Sequence, residues 1–299
     1  MRGSIAHPRP TLREIRAASS EHLAESLADG LHVDPRRVFL TPGATEANAW
    51  VTLFLARGAR GRTPRARVRP PEYPSLIDGA TWAGFRVGAT RAPAALALVS
   101  LPRNPEGLLW SDPEFSEWTV GARSILVDET FREFSNARSR ATSGTTGLWV
   151  TGSFTKFYAA DDVRVGYVVA PPESAGTFAR FHGVVTDELP PYSVASALRI
   201  LEERTSLGKR VRRIFERNRA VMARSLPQAR TIRAPVFFDR VPNGDRLARE
   251  CLRASVLVCP GSFFGVRAGV RISLTRRTFP EDFGEYLRVR DRIVGDRGR

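Results

Sequence analysis

Lysine is almost absent from this chain of 299 residues. Only two of its 46 basic side chains are lysines, Lys156 and Lys209, and the other 44 are arginines. Arginine stays protonated, whereas lysine can lose its proton and become a nucleophilic amine. Lys209 lies in a run of arginines that is typical of the charged start of an exposed helix. The scarcity of lysine therefore makes Lys156 the candidate for amine chemistry.

Cysteine, histidine and long apolar runs are also scarce. Cys251 and Cys259 are the only thiols, and the four histidines lack the spacing of a metal site. We therefore expect reduced thiols and no metal. No apolar run approaches the roughly 20 residues that a membrane helix needs. The first residues, Met1-Arg2-Gly3-Ser4, contain no apolar signal core, so we expect a cytoplasmic protein.

The chain carries a formal net charge of +15. Such a charge favours polyanionic partners. The arginines are nevertheless spread out, with dense runs at 57–69, 209–219 and 288–299, and no aromatic residues interleave with them as a stacking platform would require. We expect weak, salt-sensitive adhesion to nucleic acid and no specific binding.

Short apolar runs alternate with helical patterns through the first two thirds of the chain. This alternation predicts an α/β fold in which helices sandwich a mostly parallel sheet. Ligands of such sheets bind beyond the carboxyl ends of the strands. Asp128 and the segment 153–156 both follow predicted strands. The predicted strands cover 38–41, 67–70, 96–100, 125–128, 148–150 and 165–169, and helices cover 45–55 and 73–83.

The pattern changes after about residue 205. We expect a large cofactor-binding domain over 33–205 and a smaller α+β domain formed by 1–32 and 206–299. An N-terminal helix at about 11–29 is predicted to pack with the smaller domain. Its other predicted helices cover 209–225, 244–253 and 280–294, and its strands cover 235–238, 255–259 and 269–274.

Six short motifs follow one another along the chain. They are Gly43-Ala44-Thr45-Glu46-Ala47, Pro71-Glu72-Tyr73-Pro74, Asn104-Pro105-Glu106-Gly107, Val127-Asp128-Glu129, Ser153-Phe154-Thr155-Lys156 with Arg164, and Val270-Arg271-Ile272-Ser273. In this order they resemble a fold-type-I pyridoxal-phosphate enzyme of the class I/II aminotransferase family. The resemblance covers about residues 33 to 275 and points to the branch of histidinol-phosphate aminotransferase and threonine-phosphate decarboxylase.

The resemblance implies how pyridoxal 5'-phosphate is held and used. Lys156 would form an aldimine with the cofactor aldehyde and then move the proton at the substrate α-carbon, and both roles need a neutral amine. Asp128 would pair with the ring nitrogen and keep it protonated, so that the ring accepts electrons. Asn104 would hydrogen-bond the 3-oxygen of the ring. Tyr73 would stack on the ring.

The resemblance also assigns a site for the cofactor phosphate. Gly43, Ala44 and Thr45 would present backbone N–H groups to the phosphate at the start of a helix. Ser153 and Arg164 would add a hydroxyl and a guanidinium to the same phosphate.

Further residues are assigned to the substrate. Arg271 would grip its α-carboxylate with a bidentate fork, beside Asn104. Tyr192 matches a segment near the cofactor in relatives. Arg276 and Arg277, just beyond Arg271, are candidates for binding a substrate phosphate.

Three positions depart from the family pattern. Phe131 stands where most relatives have a tyrosine, and its ring cannot hydrogen-bond the cofactor. Glu106 replaces the usual threonine, and Thr275 replaces a glycine. Members of the family usually carry an N-terminal arm that covers the substrate. Here about ten residues precede the first predicted helix, so we expect an abbreviated lid.

Our first hypothesis is a homodimeric aminotransferase that exchanges amino groups between an α-amino acid and a keto acid. Two alternatives stay open. One is a decarboxylase of an amino acid, such as phosphothreonine, on the same fold. The other is a noncatalytic basic protein that binds a cofactor or nucleic acid. The motifs that both branches share do not decide between transamination and decarboxylation.

Overall fold

The computed structural model describes residues 7–58, 63–90, 92–154 and 156–295. Residues 1–4, Thr155 and parts of the arginine-rich runs 57–69 and 288–299, which the sequence analysis used, lie outside the described residues. Within the described ranges, no helix is both long and apolar enough to cross a membrane.

Seven strands form the main sheet, in the order β1-β7-β6-β5-β4-β2-β3. The strands from β2 to β6 run parallel, and β7 runs antiparallel to both of its neighbours. The predicted mostly parallel sheet is therefore confirmed, although the third strand was not predicted. The strands are β1 (Val38–Thr41), β2 (Arg65–Arg67), β3 (Arg86–Gly88), β4 (Ala94–Ser100), β5 (Ala122–Asp128), β6 (Leu148–Ser153) and β7 (Gly166–Val169).

Helices cover both faces of this sheet. Ser111 begins one of them with a capping box that includes Glu114, and Ser19 caps another. The helices are α1 (Leu12–Arg16), α2 (Ser20–Leu31), α3 (Ala44–Ala56), α4 (Pro74–Trp82), α5 (Asp112–Thr119), α6 (Arg132–Ser135), α7 (Pro172–Val185), α8 (Pro191–Glu202), α9 (Arg204–Ser225), α10 (Gly244–Arg253) and α11 (Phe279–Gly295).

Successive residues of the central strands enter two different cores. Leu96 and Leu98 of β4 belong to a core with α3, α4 and α7, whereas Ala97 and Val99 belong to a larger core with α2, α8 and α9. Because side chains of a strand alternate between faces, a strand covered on both sides reads as one continuous apolar run. The uninterrupted run of β4 follows from this.

A second, antiparallel sheet is formed by β8 (Val236–Asp239), β9 (Cys259–Pro260) and β10 (Val270–Ser273), in the order β8-β10-β9. The strand expected at 255–259 is reduced to the two residues of β9. The predicted N-terminal helix is two helices, α1 and α2, which pack against β1 and α8. This packing differs from the expected packing with the C-terminal region. The division into two domains stays a prediction.

Gly107 joins the turn after β4 to the second sheet. Its φ is +76°, and a Cβ added there would lie 2.1 Å from the carbonyl oxygen of Val236. The backbone N–H of Arg233 donates to the Gly107 carbonyl oxygen at 2.6 Å. A side chain at residue 107 would therefore separate the turn from β8.

Replacing Gly107 with alanine should lower the free energy of unfolding by more than the strain of a left-handed residue, which is about 1–2 kcal/mol. Gly121→Ala is the matched control, because Gly121 has φ +73° but no atom within 4 Å of an added Cβ. Urea unfolding of both variants measures the difference. Equal losses would show that the contact with Val236 is unimportant.

Candidate active site

A cavity of about 310 Å³ lies at the carboxyl ends of the central strands. It brings together nine of the residues that were predicted to bind cofactor or substrate. Gly43 does not line the cavity, although the helix that it precedes begins at the wall. Those lining it are Ala44, Thr45, Tyr73, Asn104, Asp128, Ser153, Lys156, Arg164 and Arg271. Parallel register explains the convergence, because Ser100 and Asp128, the last residues of β4 and β5, lie side by side with Thr151 of β6.

Asp128 is only 4% exposed and is held by two donors. The Asn48 amide donates to one carboxylate oxygen at 2.8 Å, and the Thr130 N–H donates to the other at 2.9 Å. Thr151 orients the amide by donating to its oxygen at 2.6 Å. Burial raises the pKa of Asp128. A cation in the cavity would favour the ionised form.

Asn48 and Thr151 were missed in the sequence analysis. Asn48 is a fully buried polar residue on α3, and Thr151 is one on β6. The only sign of them in the sequence is a polar residue within an otherwise apolar strand or helix face. Such a residue does not indicate which side chain it will bind.

The start of α3 forms a cradle for an anion. Gly43 precedes the helix with φ +119°, and no side chain caps its first N–H groups. Gly166 allows β7 to approach, because a Cβ there would lie 2.4 Å from the Gly43 carbonyl carbon. The Arg164 guanidinium donates to the Pro42 carbonyl at 3.0 Å. The uncapped N–H groups of Ala44 and Thr45 and this guanidinium suit a phosphate.

Ser153 completes that wall of the cavity. Its hydroxyl donates to the Val165 carbonyl oxygen at 3.3 Å. The contact fixes the end of β6 against the segment that carries Arg164.

Lys156 extends into the cavity with its side chain half exposed. Its Nζ lies 3.9 Å from Oδ1 of Asp161, which also lines the cavity. A half-exposed pair of this kind is weak, so the amine remains accessible. Asp161 was missed because a lone carboxylate in a loop carries no sequence signal. Lys209 is exposed on α9, as predicted.

Arg271 of β10 reaches the cavity from the second sheet. It donates to Oδ1 of Asn104 at 3.2 Å and to the sulfur of Cys259 at 3.5 Å. Its guanidinium lies 5.0 Å from the ring centre of Phe264. Its buried Nε has no hydrogen-bond partner among the described residues. The side chain is thus held at the wall of the cavity by Asn104, Cys259 and Phe264.

A buried carboxyl group organises the wall that holds Tyr73. Glu72 accepts hydrogen bonds from the Ser100 hydroxyl at 2.5 Å, the Ser100 N–H at 3.0 Å and the Tyr73 N–H at 2.6 Å. The Ser100 hydroxyl in turn accepts from the Asn104 N–H at 2.8 Å. Burial raises the pKa of Glu72 to about 7. Glu72 was not predicted as a site residue.

Some predicted neighbours lie elsewhere. Tyr192, at the start of α8, does not line the cavity, and neither do Arg276 and Arg277. Arg276 lies 3.7 Å from Asp282. Phe131 and Thr275, which depart from the family pattern, do line it. No cluster of metal-binding side chains occurs in the part of the chain that the structure describes.

The sequence model of the aminotransferase class I and II family matches residues 8–280. The chain belongs to this family. The resemblance stated from the motifs is thereby confirmed.

Curated relatives carry three different names. The chain is 29% identical over 192 residues to an aspartate aminotransferase of Thermococcus kodakarensis, 23% identical over 226 residues to histidinol-phosphate aminotransferase 1 of Nitrosococcus oceani, and 31% identical over 138 residues to a threonine-phosphate decarboxylase of a Sinorhizobium species. These matches cover 61%, 70% and 42% of this chain. They span 53%, 58% and 41% of those relatives, or about half of their length.

Solved structures show the same fold. A crystal structure of an aminotransferase from Mycobacterium tuberculosis superposes with a TM-score of 0.81 over 98% of this chain and 90% of that one, at 19% identity. The predicted fold is confirmed by this likeness.

The raised pKa of Glu72 predicts a pH-dependent stability. The protonated carboxyl is favoured in the folded state, so its stabilising contribution is complete below about pH 4.5 and is lost as pH rises through about 7. The unfolding free energy of the natural protein minus that of Glu72→Gln should therefore fall by about 2 kcal/mol from pH 5 to pH 8.

Urea unfolding at several pH values measures this difference. Glu21→Gln, at an exposed carboxyl group of α2, is the control and should show a difference that does not vary in this way. A pH-independent difference for Glu72→Gln would mean that this carboxyl titrates normally.

Proposed function

We propose that this chain is a pyridoxal-phosphate-dependent aminotransferase that acts on an α-amino acid. One observation carries the proposal: the lysine amine, the buried carboxylate of Asp128, the uncapped start of α3 and the Arg271 fork line one cavity. Membership of the class I and II family supports it.

The residues of the cavity fit the cofactor in charge and shape. The cradle of Gly43, Gly166 and Arg164 suits a phosphate. A Cβ at residue 43 would crowd the Arg164 guanidinium at 3.1 Å, and one at residue 166 would lie 2.7 Å from the Ala44 nitrogen. Burial raises the pKa of Asp128 because it disfavours the charged carboxylate. A cationic ring nitrogen beside Asp128 would favour that charge again. Lys156 presents an accessible amine. When bound, pyridoxal phosphate supplies an aldehyde that reacts with amines and a ring that accepts electrons from the substrate α-carbon.

Each side chain then has a defined task. Lys156 would hold the cofactor through its amine and, once free, would move the proton at the substrate α-carbon. Arg271 binds the α-carboxylate and, with Asn104, sets the orientation of the bonds at that carbon. Asp128 would keep the ring nitrogen protonated. Tyr73 and Asn104, which also line the cavity, would hold the ring.

We further infer that the protein is a cytoplasmic homodimer with an amino acid and a keto acid as its small-molecule partners. The family resemblance supports this assembly. A substrate screen would identify the amino donor and the keto-acid acceptor.

A second candidate function is decarboxylation of an amino acid. The match to threonine-phosphate decarboxylase, at 31% identity, favours it. Formation of a keto acid supports transamination, and release of CO₂ supports decarboxylation. The noncatalytic alternative predicts neither product, together with salt-sensitive retention on DNA.

The role of Lys156 is tested by replacing it with arginine, which keeps the charge but has no nucleophilic amine. Lys156→Arg should lose the visible absorbance band that the protein forms with pyridoxal phosphate, and borohydride should attach no cofactor to its peptide. Activity should fall by at least about a thousandfold.

Lys209→Arg is the matched control, since Lys209 is the other lysine of the chain and is exposed. It should keep both the band and the activity. A band that survives in Lys156→Arg and disappears in Lys209→Arg would refute the assignment.

Arg271→Lys should raise the KM for amino acids about tenfold to a hundredfold, because a lysine cannot form the two parallel hydrogen bonds of a guanidinium. The absorbance of the bound cofactor should stay unchanged. Arg276→Lys, at an exposed arginine outside the cavity, is the control. An unchanged KM in Arg271→Lys would place the α-carboxylate elsewhere.

A further inference from the structure

A second cavity, of about 640 Å³, lies at the opposite edge of the main sheet. Its floor is formed by Ala95 near the start of β4 and by Arg123 and Ser124 of β5. The end of α3 and the second half of α7 form its sides. The candidate active site lies at the carboxyl ends of the same strands, so this cavity is separate from it.

The wall of this cavity is apolar and aromatic. Phe54 and Phe181 pack against each other at 5.5 Å between ring centres, and Phe85 closes one side. Val184, also in the wall, is 85% exposed. Ligand pockets of proteins have volumes of about 300–1,000 Å³ and mostly apolar walls with a few polar groups. The cavity therefore has the size and lining of a ligand site.

The charged residues around this apolar wall are all arginines. Arg57, Arg123 and Arg180 line the cavity and each is exposed, and no acidic residue is among the described residues that line it. Within the described part of the chain, none of the three makes an ion pair with a carboxylate. A guanidinium binds carboxylate or phosphate oxygens through paired donors. Three such groups beside an apolar space complement a molecule with an apolar body and an anionic end.

We propose that this second cavity binds a free amphiphilic anion, with its apolar tail between α3 and α7 and its charged head among the three arginines. Binding needs both the apolar space between α3 and α7 and the three arginines. An isolated inorganic anion would leave the phenylalanine wall uncovered, and a neutral hydrocarbon would leave the arginines unpaired. The proposal does not depend on the proposed aminotransferase activity.

The test is calorimetric titration of the full chain with dodecanoate, below the concentration at which it forms micelles. We expect saturable binding at one site per chain. Dodecanol, dodecyltrimethylammonium and acetate should each bind at least about tenfold more weakly, because each lacks the anionic head or the tail. Dodecyl phosphate should bind like dodecanoate. Added pyridoxal phosphate should not compete.

Two charge variants separate this site from the general basic surface. Arg123→Gln with Arg180→Gln should weaken dodecanoate binding about tenfold. Arg246→Gln with Arg249→Gln removes the same charge from α10, outside the cavity, and should leave the binding unchanged. Thermal unfolding checks that both variants are folded.

Other outcomes would overturn the proposal. Equal weakening of dodecanoate binding in both double variants would mean that the affinity depends only on the net charge of the protein. Equal affinity for dodecanol would mean an apolar pocket without anion recognition. Binding that appears only with anionic phospholipid vesicles, and not with free dodecanoate, would indicate adhesion to a membrane surface.

Discussion

The parallel register of β4, β5 and β6 is the constraint from which the rest of the candidate site follows. It aligns Ser100, Asp128 and Thr151 at one edge of the sheet. From there Thr151 orients Asn48, and Asn48 holds the buried carboxylate of Asp128. A buried carboxylate is costly unless it has partners. Hydrogen bonds from α3 and from the turn after β5 offset part of that cost, and a cationic ligand would offset more.

The same helix that holds Asp128 also forms the anion cradle. Asn48 lies one turn into α3, whose first N–H groups are uncapped and face Arg164. One helix thus places a site for a positive group and a site for a negative group at a set separation along its axis. A rigid molecule with a phosphate at one end and a basic nitrogen at the other suits this arrangement.

The second sheet supplies the remaining wall through two contacts with the turn after β4. Gly107 permits backbone contact with β8 and Arg233, and Asn104 accepts a hydrogen bond from Arg271 of β10. The position of Arg271, for which we propose a role in substrate binding, therefore depends on a turn that follows a strand of the other sheet. Glu72 reinforces the turn through Ser100.

Much of this arrangement was predictable from local patterns. Continuous apolar runs predicted the buried strands, and the motif order predicted that Lys156, Asp128, Asn104, Arg164 and Arg271 would meet in one cavity. The supporting residues Asn48, Thr151 and Glu72 were not predicted, because their partners lie 28 to 103 positions away. The strand predicted at 255–259 was too long, since pairing with β10 limits β9 to two residues.

The sequence by itself determined the chemistry that is available: one lysine placed among family motifs, a carboxylate at the end of a strand, and arginines wherever a permanent cation suffices. Composition and periodicity are local properties, so they carry this information without a fold. Only the tertiary structure decided which polar groups pair in the interior, which arginines remain without carboxylate partners around the second cavity, and that Arg276 and Arg277 lie outside the first. Those outcomes depend on burial and distance, which arise when segments far apart in the chain pack together.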